Sequence, residues 1–429
     1  MRVSSTHFQD TGVRNMTGQQ TEINRTQTQL ASGREILRPS DDPTGAARTL
    51  DLERAISSVE RFNRNADLAT NRLSLAEASI DQAGTHLQRI RELAIQAAND
   101  SQDNETRSYI ASEVRERLEQ LVQVANSQDG NGEYLFAGSR TRTRPFAPQA
   151  DGGVEYLGDQ NQRRVRVGPG RQVAVDNSGF DTFMDIQRGN GLYDARQNPG
   201  NSGGGVVQVV DGGVRRMDPG LEEYRIRFAE DDQGDLRYAV ERTADASDPD
   251  AWEWVHPPAG EGGEAPSVEE APRYEPGMTI EVEEGVRVTM EGEPDAGASF
   301  AAADPGDTFH VTHSQPQSVF DTVNRFVDAL ETGSGPDFRN EVNRAIGDID
   351  LALEKTFEAR AEIGARLSTL ETEQAGNEAA LEDLNRALSD EEDLDYAEAT
   401  GRFNQQLTGL QAAQQSFGRI QNLSLFNFI

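Results

Sequence analysis

Between positions 52 and 97 every step of a 3,4 spacing is apolar: Leu52, Ala55, Val59, Phe62, Ala66, Ala69, Leu73, Ala76, Ile80, Ala83, Leu87, Ile90, Ala94 and Ala97. A seam of that length needs a partner helix along its whole extent, and at ~1.5 Å per residue it predicts a helix roughly 70 Å long. Nothing in a catalytic domain demands such a strut.

A second run supplies the partner: Phe338, Val342, Ala345, Ile349, Ala352, Ala359 and Ile363 keep the same spacing near the other chain end. From Ile363 the seam continues through Leu367, Leu370, Leu381, Leu384 and Leu388, with one extra four-residue step that shifts its phase as a stutter does. Gln374 and Asn377 fall in that seam and read as register devices, not ligands.

A formal charge of -33 over 429 residues argues against nucleic acid and against insertion into or adsorption on an anionic membrane. Cysteine is absent, which removes disulfides and thiolate metal sites. Positions 1–10 lack the apolar core of a signal peptide, and no run of ~18 apolar residues occurs, so if the protein leaves the cell it is expected to do so by a route that needs no cleaved signal.

The plan is α+β: a long coiled-coil-like helical bundle formed by both chain ends, with a β-rich inserted domain. Met16, Ile23 and Leu30 repeat every seven residues and predict a first helix ending at Ser32-Gly33. After a loop at 34–42, Asp42 is placed to cap the strut with Pro43 at its first position. A shorter helix is expected at 106–126, followed by strands at 134–136, 154–156, 163–167 and 172–175. A glycine-rich join at 189–205 leads to further strands at 224–228, 236–240, 279–283, 286–290 and 308–312, and 261–276 reads as an exposed loop. Three parts are expected: terminal coiled-coil helices, 1–42 with 395–429; a helical rod domain with a small β meander, 43–186 with 315–394; and an inserted outer domain, 187–314.

The last helix carries Tyr396, Phe403, Leu407, Leu410, Phe417 and Ile420 on one face. Two amphipathic helices at opposite ends, each too polar for a private core, predict segments that pair with each other and with neighbouring subunits. Leu425, Phe426 and Ile429 extend that apolar surface and join the predicted interface.

These ends carry a resemblance. The run Gln29-Leu30-Ala31-Ser32-Gly33-Arg34-Glu35-Ile36-Leu37-Arg38-Pro39-Ser40-Asp41-Asp42-Pro43 resembles the N-terminal motif of bacterial flagellins and flagellar hook-associated proteins. Leu388-Ser389-Asp390-Glu391-Glu392-Asp393-Leu394-Asp395-Tyr396 is similar to the matching C-terminal motif. Within them, Ser32, Gly33, Asp41, Asp42, Pro43, Asp393, Asp395 and Tyr396 are the motif positions of interest. The start Met1-Arg2-Val3-Ser4-Ser5, the segment Gly132-Glu133-Tyr134-Leu135-Phe136-Ala137-Gly138-Ser139 with Pro145-Phe146, and the end Ser424-Leu425-Phe426-Asn427-Phe428-Ile429 resemble the hook-filament junction branch more than filament flagellins. The resemblance implies a non-catalytic structural subunit, exported unfolded and assembled outside the cell into the ring that seats the filament. Its implied partners are copies of itself, a larger hook-associated junction protein, flagellin, and an export chaperone contacting 403–420. Alternatives are a filament-forming flagellin or an adhesive display protein acting through the insert.

No catalytic or cofactor constellation emerges. His310 and His313 fall on opposite faces of a strand, Asp41-Asp42 read as helix caps, and the acidic stretches at 129–133 and 230–235 lack EF-hand spacing and read as turns. Trp252 and Trp254 are either a binding face or core of the inserted domain.

Overall fold

The computed structural model describes residues 2–99, 103–150, 152–210, 216–248, 251–258, 264–301 and 306–423. The chain divides into two compact units, Met1–Asp67 with Arg166–Arg171 and Glu371–Ile429, and Leu68–Val165 with Gln172–Leu370. The expected pairing of helical chain ends around a β-rich centre is the observed fold class.

In the first unit, α1 (Arg2–Ser32) packs along α7 (Tyr396–Leu423). Helix α1 ends where expected, because Gly33 takes φ +74°, a left-handed conformation that a side chain resists. The same unit holds the start of α2 (Pro43–Ala97) and the end of α6 (Gly335–Glu392). Asp42 caps α2 as expected, accepting from the Thr44 amide at 3.0 Å, and Pro43 opens the helix. Gln374 donates to Asp67 at 2.7 Å, and buried Asn377 donates to the Val167 carbonyl at 2.9 Å. Both seam amides are thus committed to fixed partners in the protein.

In the second unit the seam is sealed: Leu73, Ile80, Ala83, Leu87, Ile90 and Ala94 are fully buried, as are Val342, Ile349 and Ile363 opposite them. The two helices run antiparallel, since Asp81 pairs with Arg360 at 2.6 Å while Arg91, ten residues on, pairs with Asp350, ten residues back. Helix α3 (Asn104–Ala125), capped by Asp103, packs on α5 (Val319–Thr332), capped by Ser318. Beside them Phe136, Phe146, Phe183 and Phe320 stack edge-on or tilted, with ring centres 5.3 to 6.0 Å apart. That cluster includes Phe146 of β1 (Phe146–Pro148) and Phe183 of the short helix α4 (Gly179–Phe183) and packs on Tyr156 of β2 (Val154–Tyr156); two further short strands are β3 (Arg164–Arg166) and β4 (Gln172–Ala174).

The strand expected at 134–136 is not a strand. Tyr134 and Ala137 make only isolated bridges, to Gln128 and Ser178, because the chain bends there to bury Phe136 completely. The insert is bounded by β5 (Ile186–Gln187) paired with β14 (Pro316–Gln317). Within it lie β6 (Tyr193–Gln197), β7 (Val206–Val209), β8 (Glu223–Glu230), β9 (Leu236–Thr243), β10 (Glu253–His256), β11 (Met278–Glu283), β12 (Val286–Glu291) and β13 (Thr308–His313). They form two antiparallel sheets, ordered β10-β9-β8-β13-β6 and β11-β12-β7. Tyr193, Tyr224, Phe228 and Phe309 of the first share one core with Ile280, Val288 and Met290 of the second. The join at 189–205 therefore contains a strand, β6: cross-strand pairing with β13 overrides the glycines around it.

Candidate functional site

The two motif segments, one from each end of the chain, meet in the first unit. The Leu394 amide donates to the Gly33 carbonyl at 2.9 Å and the Glu35 amide to the Glu392 carbonyl at 2.8 Å, which makes Arg34 and Asp393 a single antiparallel bridge. Arg34 also pairs with Glu392 at 2.7 Å. A Cβ on Gly33 would lie 3.0 Å from the Tyr396 hydroxyl, so the glycine serves both the left-handed turn and the close approach.

The acidic motif residues organise backbone. Asp41 accepts from the Arg38 amide at 3.1 Å and pairs with Arg25 at 3.5 Å. Asp395 accepts from the Ala397 and Glu398 amides at 2.8 and 3.1 Å and so opens α7. Asp393 receives the Ser389 hydroxyl, and the Arg34 amide donates to Ser32 at 3.3 Å. A Cβ on buried Gly45 would sit 2.6 Å from both Asp42 Oδ2 and Ile36 Cδ1, which explains the tight first turn of α2.

Beyond the motifs, α1 and α7 are joined by buried polar groups. Thr26 donates to Gln406 at 3.0 Å, and Gln29 donates to the Glu35 carbonyl at 2.6 Å while accepting from Arg402 at 3.3 Å. The sequence-predicted contact residues are only partly covered by this pairing. Ile23 is buried; Met16, Leu30, Phe403, Leu407, Leu410 and Phe417 are half-buried, and Tyr396 is 56% exposed. The side chain of Ile420, and Leu425, Phe426 and Ile429 entirely, lie outside the described residues. The seam residues Leu52, Val59 and Phe62, and Leu381, Leu384 and Leu388, are likewise half-buried.

The description "bacterial flagellin N-terminal helical region" matches residues 3–141, and "bacterial flagellin C-terminal helical region" matches 346–429. The flagellar hook-associated protein 3 of Legionella pneumophila is similar in structure, with a TM-score of 0.68 and 29% identity over 79% of this chain and 97% of that one. FlgL of Xanthomonas campestris is 31% identical, covers 79% of this chain and 99% of its own, and has a TM-score of 0.65. This chain belongs to the flagellin family, in its hook-associated protein 3 branch. Flagellar hook-associated protein 3 of Escherichia coli K12 is 28% identical over 186 residues, which are 43% of this chain and 58% of that protein.

Hook-associated protein 3 is a structural flagellar family, and the remaining side chains of interest have structural partners here. His310 meets Glu223, and His313 Nε2 lies 2.8 Å from the Leu221 carbonyl. Asp129 and Asp231 each accept amides of their own turns and pair with Arg72 and Arg237. Trp252 lies under the Arg225 guanidinium at 3.8 Å, and Trp254 packs on Phe300. Among the described residues no helix is long and apolar enough to cross a membrane.

Sequence reasoning missed a buried charge cluster in the second unit. Arg72, 6% exposed, donates to Asp176 at 2.6 Å, Asp129 at 2.7 Å and the Tyr134 carbonyl at 2.8 Å, tying α2 to the β meander. Its only sequence signal is an arginine beside core position Leu73 in the seam.

Proposed function

We propose that this protein is a subunit of the ring at the hook-filament junction of a bacterial flagellum, lying outside the cell and seating the filament. The observation that carries this reading is the half-covered apolar stripe along α1 and α7, on helices already locked together at the Gly33–Leu394 bridge. Such a surface is built to be completed by neighbours. The terminal helices line the inside of the ring, the long helices form its wall, and the insert at 187–314 faces outward. The role is non-catalytic, with copies of itself, a larger junction protein, flagellin and an export chaperone as partners.

The half-buried positions Phe403 and Leu407 give the test. Changing both to Asp leaves the long helices and the insert folded, by circular dichroism, and abolishes ring formation on hook ends seen by electron microscopy. Rings that still form would overturn the assignment of this stripe. Seeded growth of the wild type into long filaments would favour a flagellin instead.

A further inference from the structure

We infer that the loop at 139–145 is an electrostatic docking surface for the carboxylate face of a second copy. This rests on the assembly reading above and names the contact that sets its register. Arg142 and Arg144 are exposed and, among the described residues, make no ion pair or hydrogen bond. Many arginines of this chain, Arg25 and Arg402 among them, have carboxylate partners, whereas Arg142 and Arg144 join exposed Arg38, Arg61, Arg164, Arg166 and Arg339 in having none among the described residues. The loop is also held still. Tyr134 donates to the Thr141 carbonyl at 2.7 Å, Thr143 donates to the Arg140 carbonyl at 2.8 Å, and Phe146 behind them is fully buried. The backbone of the turn is therefore fixed before docking, and only the two guanidinium side chains remain to be ordered by a partner.

The occupant is a second copy because the chain itself carries the complement. Glu22, Glu35 and Asp390 line a cleft of about 440 Å³ in the first unit; Arg25 and Arg402 line it too but pair with Asp41 and Glu398, and among the described residues the carboxylates of Glu22, Glu35 and Asp390 have no cation partner. Copies that each carry a charge of -33 repel at long range. At physiological salt that repulsion is screened within ~8 Å, so contact is decided by local pairs, and arginine on carboxylate is the strongest the chain can offer. A basic loop meeting an acidic cleft on the next copy is a head-to-tail contact, the kind that generates rings.

The test uses the full chain assembling on hook ends. Arg142→Glu with Arg144→Glu reverses the loop and should weaken ring formation at least ~10-fold, while the melting curve stays at the wild-type value because neither side chain has a partner among the described residues. Adding Glu22→Arg and Asp390→Arg to the same chain should restore assembly. Wild-type assembly should also weaken as salt rises toward about 0.5 M. Normal rings from the Arg142→Glu, Arg144→Glu chain would overturn this inference and leave the ring reading standing. A reversed chain that the second pair of changes does not rescue would also overturn it. A wild type that forms no ring at any salt would overturn the ring reading, and this inference with it.

Discussion

Arg34 and Asp393 face one another across an isolated antiparallel bridge, although one belongs to the first loop of the chain and the other to the turn between its last two helices. The bridge aligns two motifs that are otherwise unrelated stretches of sequence. The backbone bonds at Gly33 and Glu35 fix the register in which the two motif segments meet.

Gly33→Ala tests that junction. The turn requires a left-handed residue, and the new methyl group would press on the Tyr396 hydroxyl. The expected cost is about 1 to 2 kcal/mol, read as faster hydrogen exchange of the Leu394 amide that donates to the Gly33 carbonyl. Exchange at the wild-type rate would show that the turn carries no strain.

Arg72→Ala leaves the buried Asp176 carboxylate without its closest cation partner. Breaking one side of a buried pair typically costs about 3 to 5 kcal/mol, so the melting temperature should fall sharply. A change no larger than that of exposed Arg54→Ala would mean that water relieves the carboxylate.

His86 gives the protein an acid-side sensitivity. Burial first, and the charge of Arg117 second, hold its pKa below the ordinary 6.5, so the folded state favours the neutral ring. The unfolded chain therefore takes up the proton first. Stability from this group is complete above 6.5 and is lost as pH falls from there toward the folded value. His86→Gln should flatten that part of the curve of melting temperature against pH, and an unchanged slope would assign it to other groups.

Asn340→Ala tests how the insert is held to α6. The buried amide accepts from the Val207 amide at 3.0 Å and donates to the Gly205 and Pro336 carbonyls at 3.0 and 3.1 Å. Its loss orphans the Val207 amide, with an expected cost of about 1 to 3 kcal/mol and faster proteolysis near 197–207. Unaltered cleavage there would place the attachment elsewhere, for example at buried Asp348, which accepts from the Gly189 amide at 3.3 Å.

Helix ends were readable where one residue decides them: Gly33 stops α1 and Asp42 with Pro43 starts α2, because capping is local chemistry. The edge strand β6 was not, since Tyr193 and Ala195 are held by pairing with a strand more than a hundred positions away. The candidate interface was visible as apolar stripes on α1 and α7, yet the contact residues alone do not reveal that Ile23 is already buried while Tyr396 remains open.

What the amino-acid order determined by itself is the long helical seam and the family motifs at both ends, because 3,4 periodicity and capping depend only on near neighbours. Tertiary structure alone decided that Gly33 meets Tyr396, that Arg72 finds Asp176, and that among the described residues Arg142 and Arg144 have no partner. Those outcomes depend on which distant side chains arrive at the same place, and no local pattern encodes that arrival.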